Sequence, residues 1–246
     1  ILKPSSNLKK QQSQGSQRTG AEALKKYAIW LLYAVFVYCS YRLVRNSLLY
    51  SDMSLTTGFL RYKSLQTLHN EIWQNAFFTH ALLSMLVLLA GITQFSGVLF
   101  KRHPLVHRWV GRMYCFNIIC VVGPAGFIMA LYANGGVNGR WAFSTLAVLW
   151  WFTTFMGYLA ARKKDFLAHR NWMIYSFALT LSAVTFRMWL KFFYMLDGPP
   201  TPGVNSLYAW AAWLGFMPNL LLAYAINSRI NRRRNSAWSL GFLVGR

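Results

Sequence analysis

The chain has 246 residues, of which 55% are hydrophobic, 17% aromatic and only 13% charged; a soluble domain carries about a quarter charged residues. Twenty-six Lys and Arg against five Asp and Glu give a formal net charge of +21, a balance that would suit a nucleic-acid binder. The basic residues fall in short clusters between long apolar runs, however, which argues against nucleic acid as a partner and for a single polytopic membrane domain in contact with the lipid bilayer.

In chain order, residues 1–26 are polar, basic and rich in Gln, Ser and Lys, and read as a disordered cytoplasmic tail. The apolar run that follows is too long and too late for a removable signal peptide. A bilayer core takes about 20 apolar residues per helix, and six runs meet that need: Tyr27–Val44, about Trp73–Phe100, about Val110–Ala133, Trp141–Ala161, about Trp172–Phe193 and about Leu207–Asn227. The expected fold is all-α, a transmembrane bundle of about six spans over residues 27–227, with spans two to five as a four-helix core. Residues 228–246 form a basic cytoplasmic tail. With six spans, four basic clusters share one side: the N-terminal tail, Lys101–Arg112, Arg162–Arg170 and Arg229–Arg234. The positive-inside rule then puts both termini in the cytoplasm, in a bacterial inner membrane or its equivalent. The long outer connection from Arg45 to about Ile72 carries Leu48, Leu49, Tyr50, Phe59, Leu60 and Tyr62, and is expected as a short amphipathic element on the membrane surface. "GPAG" (Gly123–Gly126) in span three and Pro218 in span six predict kinks, either for packing or to line a cavity. Cys39, Cys115 and Cys120 lie in apolar runs without a disulfide pattern and read as small buried side chains.

Two loops share a design. "KRHPLVHRWVGR" (Lys101–Arg112) and "ARKKDFLAHRNW" (Ala161–Trp172) are each a basic stretch, then His-Arg, then an apolar run. Spans two–three and four–five thus look like two copies of one hairpin, with His107 and His169 matched. The aromatic residues that follow, Trp109 and Tyr114 against Trp172 and Tyr175, align only with a one-residue shift. Both histidines lie near the positive end of a helix dipole, which favours a neutral imidazole, the form that a metal or haem iron needs. Two readings stay open. The pairs anchor helix ends at the interface, or they form a shared cofactor site in which His107 and His169 ligate haem iron. Arg108, Arg112 and Arg170 would then face a propionate, a lipid phosphate or a quinone oxygen.

A second layer lies deeper. His80 in span two and Arg187 in span five are each some 27–30 Å from the cytoplasmic boundary at about 1.5 Å per residue, with Thr79 adjacent. Ionisable groups inside spans are functional candidates, and these three form a candidate ligand pocket. No Asp or Glu lies in the middle of a span, which argues against an ion-coupled transporter. No serine-nucleophile, His-Glu-x-x-His or phosphate-loop motif is present.

The order His80, "HRWVGRMY" (His107–Tyr114), "HRNWMIYS" (His169–Ser176) and "TFRMW" (Thr185–Trp189) resembles a family of uncharacterised predicted integral membrane proteins, a domain of unknown function. The resemblance covers about Phe78 to Leu190 and implies architecture without chemistry. A weaker likeness is to transmembrane b-type cytochromes with two bis-histidine haems, such as the ascorbate-linked ones. It implies one haem b at His107 and His169, while His80 lacks an intramembrane partner for a second. Three functions are therefore expected in order. The first is a redox protein holding haem b or a quinone at the His/Arg site. The second is binding or transport of a hydrophobic small molecule at His80 and Arg187. The third is a non-catalytic subunit or scaffold of a membrane complex, with Gly91, Gly97 and Gly157 at helix contacts.

Overall fold

A computed structural model describes residues 27, 30, 31, 34, 35, 37–95, 97–197 and 206–244. All regular structure among them is helical. After a 3-10 turn (Gly58–Tyr62) come α1 (Leu65–Leu68), α2 (Glu71–Gln94), α3 (Gly97–Arg102), α4 (Pro104–Phe116), a π-helical segment (Asn117–Val122), α5 (Gly123–Leu131), α6 (Gly136–Arg162), α7 (Phe166–Thr180), α8 (Ser182–Asp197) and α9 (Ser206–Val244). Five stretches of the described chain are long and apolar enough to cross a membrane: Glu71–Gln94, Pro104–Leu131, Gly136–Arg162, Phe166–Leu196 and Leu207–Arg232. They correspond to expected spans two to six. The expected first span falls partly outside the described residues, and the expected tail 1–26 and residues 198–205 lie wholly outside them. The described residues up to Leu43 belong to a separate unit; they are helical, and Arg42 Nη1 donates to Tyr38 Oη at 3.1 Å.

Capping sets the helix starts, and this shifts the expected boundaries. The Asn70 side chain caps α2 by accepting the Trp73 N–H at 3.1 Å. Pro104 opens α4 six residues before the expected Val110, because the first helical position needs no N–H donor. Asp165 caps α7, its carboxylate accepting the Ala168 N–H at 3.0 Å, so that helix begins at Phe166 and not at Trp172. Hydropathy misses the polar first turns that caps stabilise. Span two is also shorter than expected: α2 stops at Gln94, and the apolar run beyond it is the separate α3, which opens at the poor helix former Gly97.

The core draws on every one of the five spans. Val87 of α2, Tyr114 and Cys115 of α4, Ile118 and Val122 of the π segment, Trp150 of α6, Leu179 of α7 and Phe216 of α9 form one buried cluster. α6 lies centrally, packed against α5, α7 and α9, while α2 covers α4, the π segment and α5. Lipid is as apolar as leucine, so close packing and polar contacts hold such a bundle more than apolar burial does. Small residues provide the close approach: a Cβ on Gly91 would lie 2.6 Å from the Phe177 ring. The opposite, lipid-side surface carries exposed Phe152, Leu221, Leu222 and Tyr224.

The connection before α2 folds onto the bundle instead of lying flat as the sequence suggests. Leu60 is fully buried with Trp73, Phe77 and Phe78, and Tyr50, Leu55 and Phe59 pack around them. Its apolar residues find aromatic partners on the first turns of α2, which is a drier contact than the membrane interface offers.

Proline shapes span three. In the π register Gly123 N–H reaches the Ile118 carbonyl. The next donor would be Pro124, which has no N–H, so the Ile119 carbonyl is left over. Trp151 of α6 fills it, Nε1 donating at 3.0 Å. Span five breaks at Leu181, between α7 and α8. Asn219, beside Pro218 in α9, spans the break: its Nδ2 donates to the Ala178 carbonyl at 3.1 Å and to Thr185 Oγ1 at 3.0 Å.

Candidate functional site

The ends of α2 and α6 and the starts of α4 and α7 meet at the basic end of the bundle. His107 and His169 are each the fourth residue of their helix. His169 Nδ1 lies 2.8 Å from the Gly157 carbonyl of α6. A carbonyl only accepts, so Nδ1 carries a proton, and it is Nε2 whose lone pair the neutral tautomer would offer to a ligand. His107 rests edge-on against Phe100, with centroids 5.2 Å apart, and is within electrostatic reach of His169. Its Nδ1 is buried with no hydrogen-bond partner.

Further buried polar atoms in this half also lack partners: Gln94 Nε2, Arg170 Nε, Asn117 Oδ1, Asn227 Oδ1 and Asn231 Oδ1. Such atoms are rare in a finished interior and point to a missing ligand or water. Arg170 Nη2 donates to Asn171 Oδ1 at 3.4 Å, and Asn227 Nδ2 donates to the Asn171 carbonyl at 3.1 Å. The structure therefore brings His107, His169 and Arg170 into one layer with Gln94 and Asn227. Arg108 and Arg112 are exposed, with Arg112 over the Trp109 ring at 5.3 Å. Sequence reasoning missed Gln94, Asn117, Asn227 and Asn231, although isolated amides close to the end of an apolar run were the available signal. Among the described residues no three His, Cys, Asp or Glu converge; what this layer offers is two imidazoles.

Directly beneath lies a hydroxyl network. Tyr114 Oη is 3.0 Å from Ser176 Oγ and 2.8 Å from Thr180 Oγ1; Trp150 Nε1 donates to Thr180 Oγ1 at 3.0 Å, and Thr154 Oγ1 is 2.7 Å from Ser176 Oγ. Tyr114, Thr154 and Ser176 are fully buried. The sequence shows these only as an aromatic and scattered small residues, because pairing across helices has no local signature.

The third layer holds His80, Arg187 and Thr79. His80 is nine residues from the far end of α2 at Glu71 and fourteen from Gln94, about 21 Å from the basic end at 1.5 Å per residue. That is deeper in the bundle than the expected 27–30 Å, because α2 ends early. His80 Nδ1 donates to the Val122 carbonyl at 2.9 Å, and its ring meets Trp150 edge-on at 6.4 Å. Gly126 makes the room, since a Cβ there would lie 3.0 Å from the imidazole. Here the "GPAG" motif gains its account: proline loosens the helix and glycine admits the ring. Arg187 Nη1 donates to the Ala183 carbonyl of its own helix at 2.7 Å, and its charge reaches His80, Tyr208 and Tyr50. Thr79 is half-buried.

A family model described as a predicted membrane protein (DUF2306) matches residues 77–226. The chain belongs to this family. The DUF2306 match takes in His80, His107, His169, Arg170, Arg187 and the hydroxyl network and continues past the expected Leu190 into the sixth span, in agreement with a core that includes Phe216. No curated protein and no solved structure matches the chain.

Proposed function

We propose that this DUF2306 protein is a membrane redox protein that holds haem b between His107 and His169. The observation that carries the reading is the state of the two rings. His169 donates Nδ1–H to the Gly157 carbonyl, the arrangement that orients iron-ligating histidines and leaves Nε2 as the ligand atom. His107 offers a nitrogen without a partner, within electrostatic reach of its counterpart. Two imidazoles at equivalent helix positions fit a bis-histidine donor set. A haem iron held by His107 and His169 would supply one-electron transfer. Arg170, with Nε unpartnered, would hold a propionate, and Arg108 and Arg112 would receive the second from the surface. The fully buried Ser176 and Tyr114 would close the layer against the apolar core. The concentration of basic residues at this end supports an orientation with that face and both termini in the cytoplasm, in a bacterial inner membrane or its equivalent.

The test is a reduced-minus-oxidised absorption spectrum of protein purified from haem-replete cells, with hemin titration of any colourless preparation. A b-type signal lost in both His107→Ala and His169→Ala is the expected result. Protein that is colourless and takes up no hemin overturns the reading.

A second reading rests on the deeper layer. His80 is aimed by Val122 and Gly126, with the Arg187 charge nearby and no carboxylate among the groups its charge meets. This supports binding of a hydrophobic molecule with an acceptor head group, a quinone included. It predicts that ligand co-purification depends on His80 and not on His107.

A further inference from the structure

The far end of the bundle, opposite the His107–His169 layer, carries a cleft of about 360 Å³, within the size range of small-molecule sites. Ser64, Gln66, Thr67, Asn70, Tyr132 and Arg140 line it. No carboxylate is among the lining residues. Arg140 stands in the second turn of α6, exposed to the cleft. Beside it Lys63 Nζ donates to the Tyr132 carbonyl and lies over the rings of Phe59 and Trp73, at 5.3 and 5.5 Å. The fold thus holds the Lys63 ammonium, on the carbonyl of the cleft-lining Tyr132, within electrostatic reach of the Arg140 guanidinium in the cleft wall. Burial, with a smaller contribution from Arg140, pushes the Lys63 ammonium down to about 8. Two like charges brought together without a counter-charge disfavour each other, and the arrangement is stabilised when an anion lies between them.

We infer that this cleft binds a phosphate-type oxyanion, carried by a lipid headgroup or by a small soluble molecule. The chemistry matches on three counts. A guanidinium fork and an ammonium together suit a tetrahedral oxyanion. The Ser64 and Thr67 hydroxyls, 2.9 Å apart, and the Asn70 amide, which donates to Tyr132 Oη at 3.2 Å, line one wall with donors. Ser64 and Asn70 are held in place as the caps of α1 and α2, so that wall is set before a ligand arrives.

The experiment has two arms, each run on the whole protein and on Arg140→Gln and Arg140→Lys, at an exposed position that folding tolerates. In detergent, thermal unfolding is followed with inorganic phosphate against chloride at equal ionic strength. In nanodiscs, retention of phosphatidylglycerol against phosphatidylcholine is read by native mass spectrometry. Stabilisation by phosphate that weakens at least tenfold in apparent affinity in Arg140→Gln, and is partly kept in Arg140→Lys, identifies a soluble oxyanion. Phosphatidylglycerol retention with the same dependence identifies the headgroup. No response in either arm, or a response that Arg140→Gln leaves unchanged, overturns the proposal.

Discussion

Tyr114 and Ser176 hold the same place in two helices, the eleventh residue of α4 and of α7, and their hydroxyls meet at 3.0 Å. Seven residues earlier in each helix stand His107 and His169. The two His-Arg hairpins therefore share one frame measured from their helix starts, and they touch at equivalent positions in the middle of the bundle. In that frame the aromatics stay offset: Trp109 and Tyr114 are the sixth and eleventh residues of α4 and Trp172 and Tyr175 the seventh and tenth of α7, so Tyr114 is matched by Ser176 and not by Tyr175.

The hydroxyl network should carry a measurable share of stability. Tyr114→Phe keeps the ring and removes the bonds to Ser176 and Thr180. Both hydroxyls keep other partners, Thr154 and Trp150 respectively, so the expected loss is about 1–2 kcal/mol. Reversible unfolding in mixed micelles would measure it; an unchanged midpoint would show that the network is energetically idle.

Pro124 and Trp151 should be coupled. The indole compensates for a donor that proline lacks. Trp151→Phe leaves the Ile119 carbonyl unpaired and should cost about 1–3 kcal/mol. With Pro124→Ala the backbone regains an N–H, and the same change should cost less. A double-mutant cycle on unfolding free energies reads the difference, expected at about 1 kcal/mol; strict additivity would refute the account.

Gly91 and Gly157 should differ although both lie at helix contacts. A Cβ at Gly91 meets the Phe177 ring at 2.6 Å and Tyr114 at 3.1 Å, whereas at Gly157 it meets Met173 Sδ at 2.7 Å. An aromatic ring is a rigid plate, held here against Phe95 at 4.9 Å, while a methionine side chain can re-pack. Gly91→Ala should destabilise by about 1–3 kcal/mol. Gly157→Ala should be milder because Met173 gives way, the helix-propensity gain of about 1 kcal/mol being common to both sites. Thermal midpoints of the two variants in one detergent would rank them.

Lys63 makes stability depend on pH. Its ammonium titrates near 8 in the folded protein and near 10.5 in the unfolded chain. Between those values the unfolded chain binds the extra proton, so stability rises as pH climbs from about 8 toward 10.5 and the penalty of the buried charge is relieved. Below about 8 the penalty is fully present. The groups facing it are the Arg140 charge, the Tyr132 carbonyl and the Phe59 and Trp73 rings. Subtracting the profile of Lys63→Met from that of the whole protein should leave this rise; a flat difference would contradict it.

By itself the sequence determined the class. Apolar runs of span length, punctuated by basic clusters, are enough to specify an all-helical membrane bundle, because an unpaired backbone amide in lipid is too costly for anything but helices or a closed barrel. Five of the expected spans return in the structure close to their places, and His80, His107, His169 and Arg187 were visible as polar residues in or beside apolar runs. What hydropathy could not place were helix starts: Pro104 and Asp165 set them through capping, and these put both histidines at position four. Only the tertiary structure decided which polar groups pair. Trp151 with the Ile119 carbonyl, His80 with Val122, Asn219 with Ala178, and Tyr114 with Ser176 join residues 32 to 62 positions apart. At Ile119 the reason is explicit, since Pro124 removes the local donor and Trp151 of another helix replaces it. All four bonds join side chains or carbonyls that only the packing of separate helices brings together, at distances along the chain that no local pattern records.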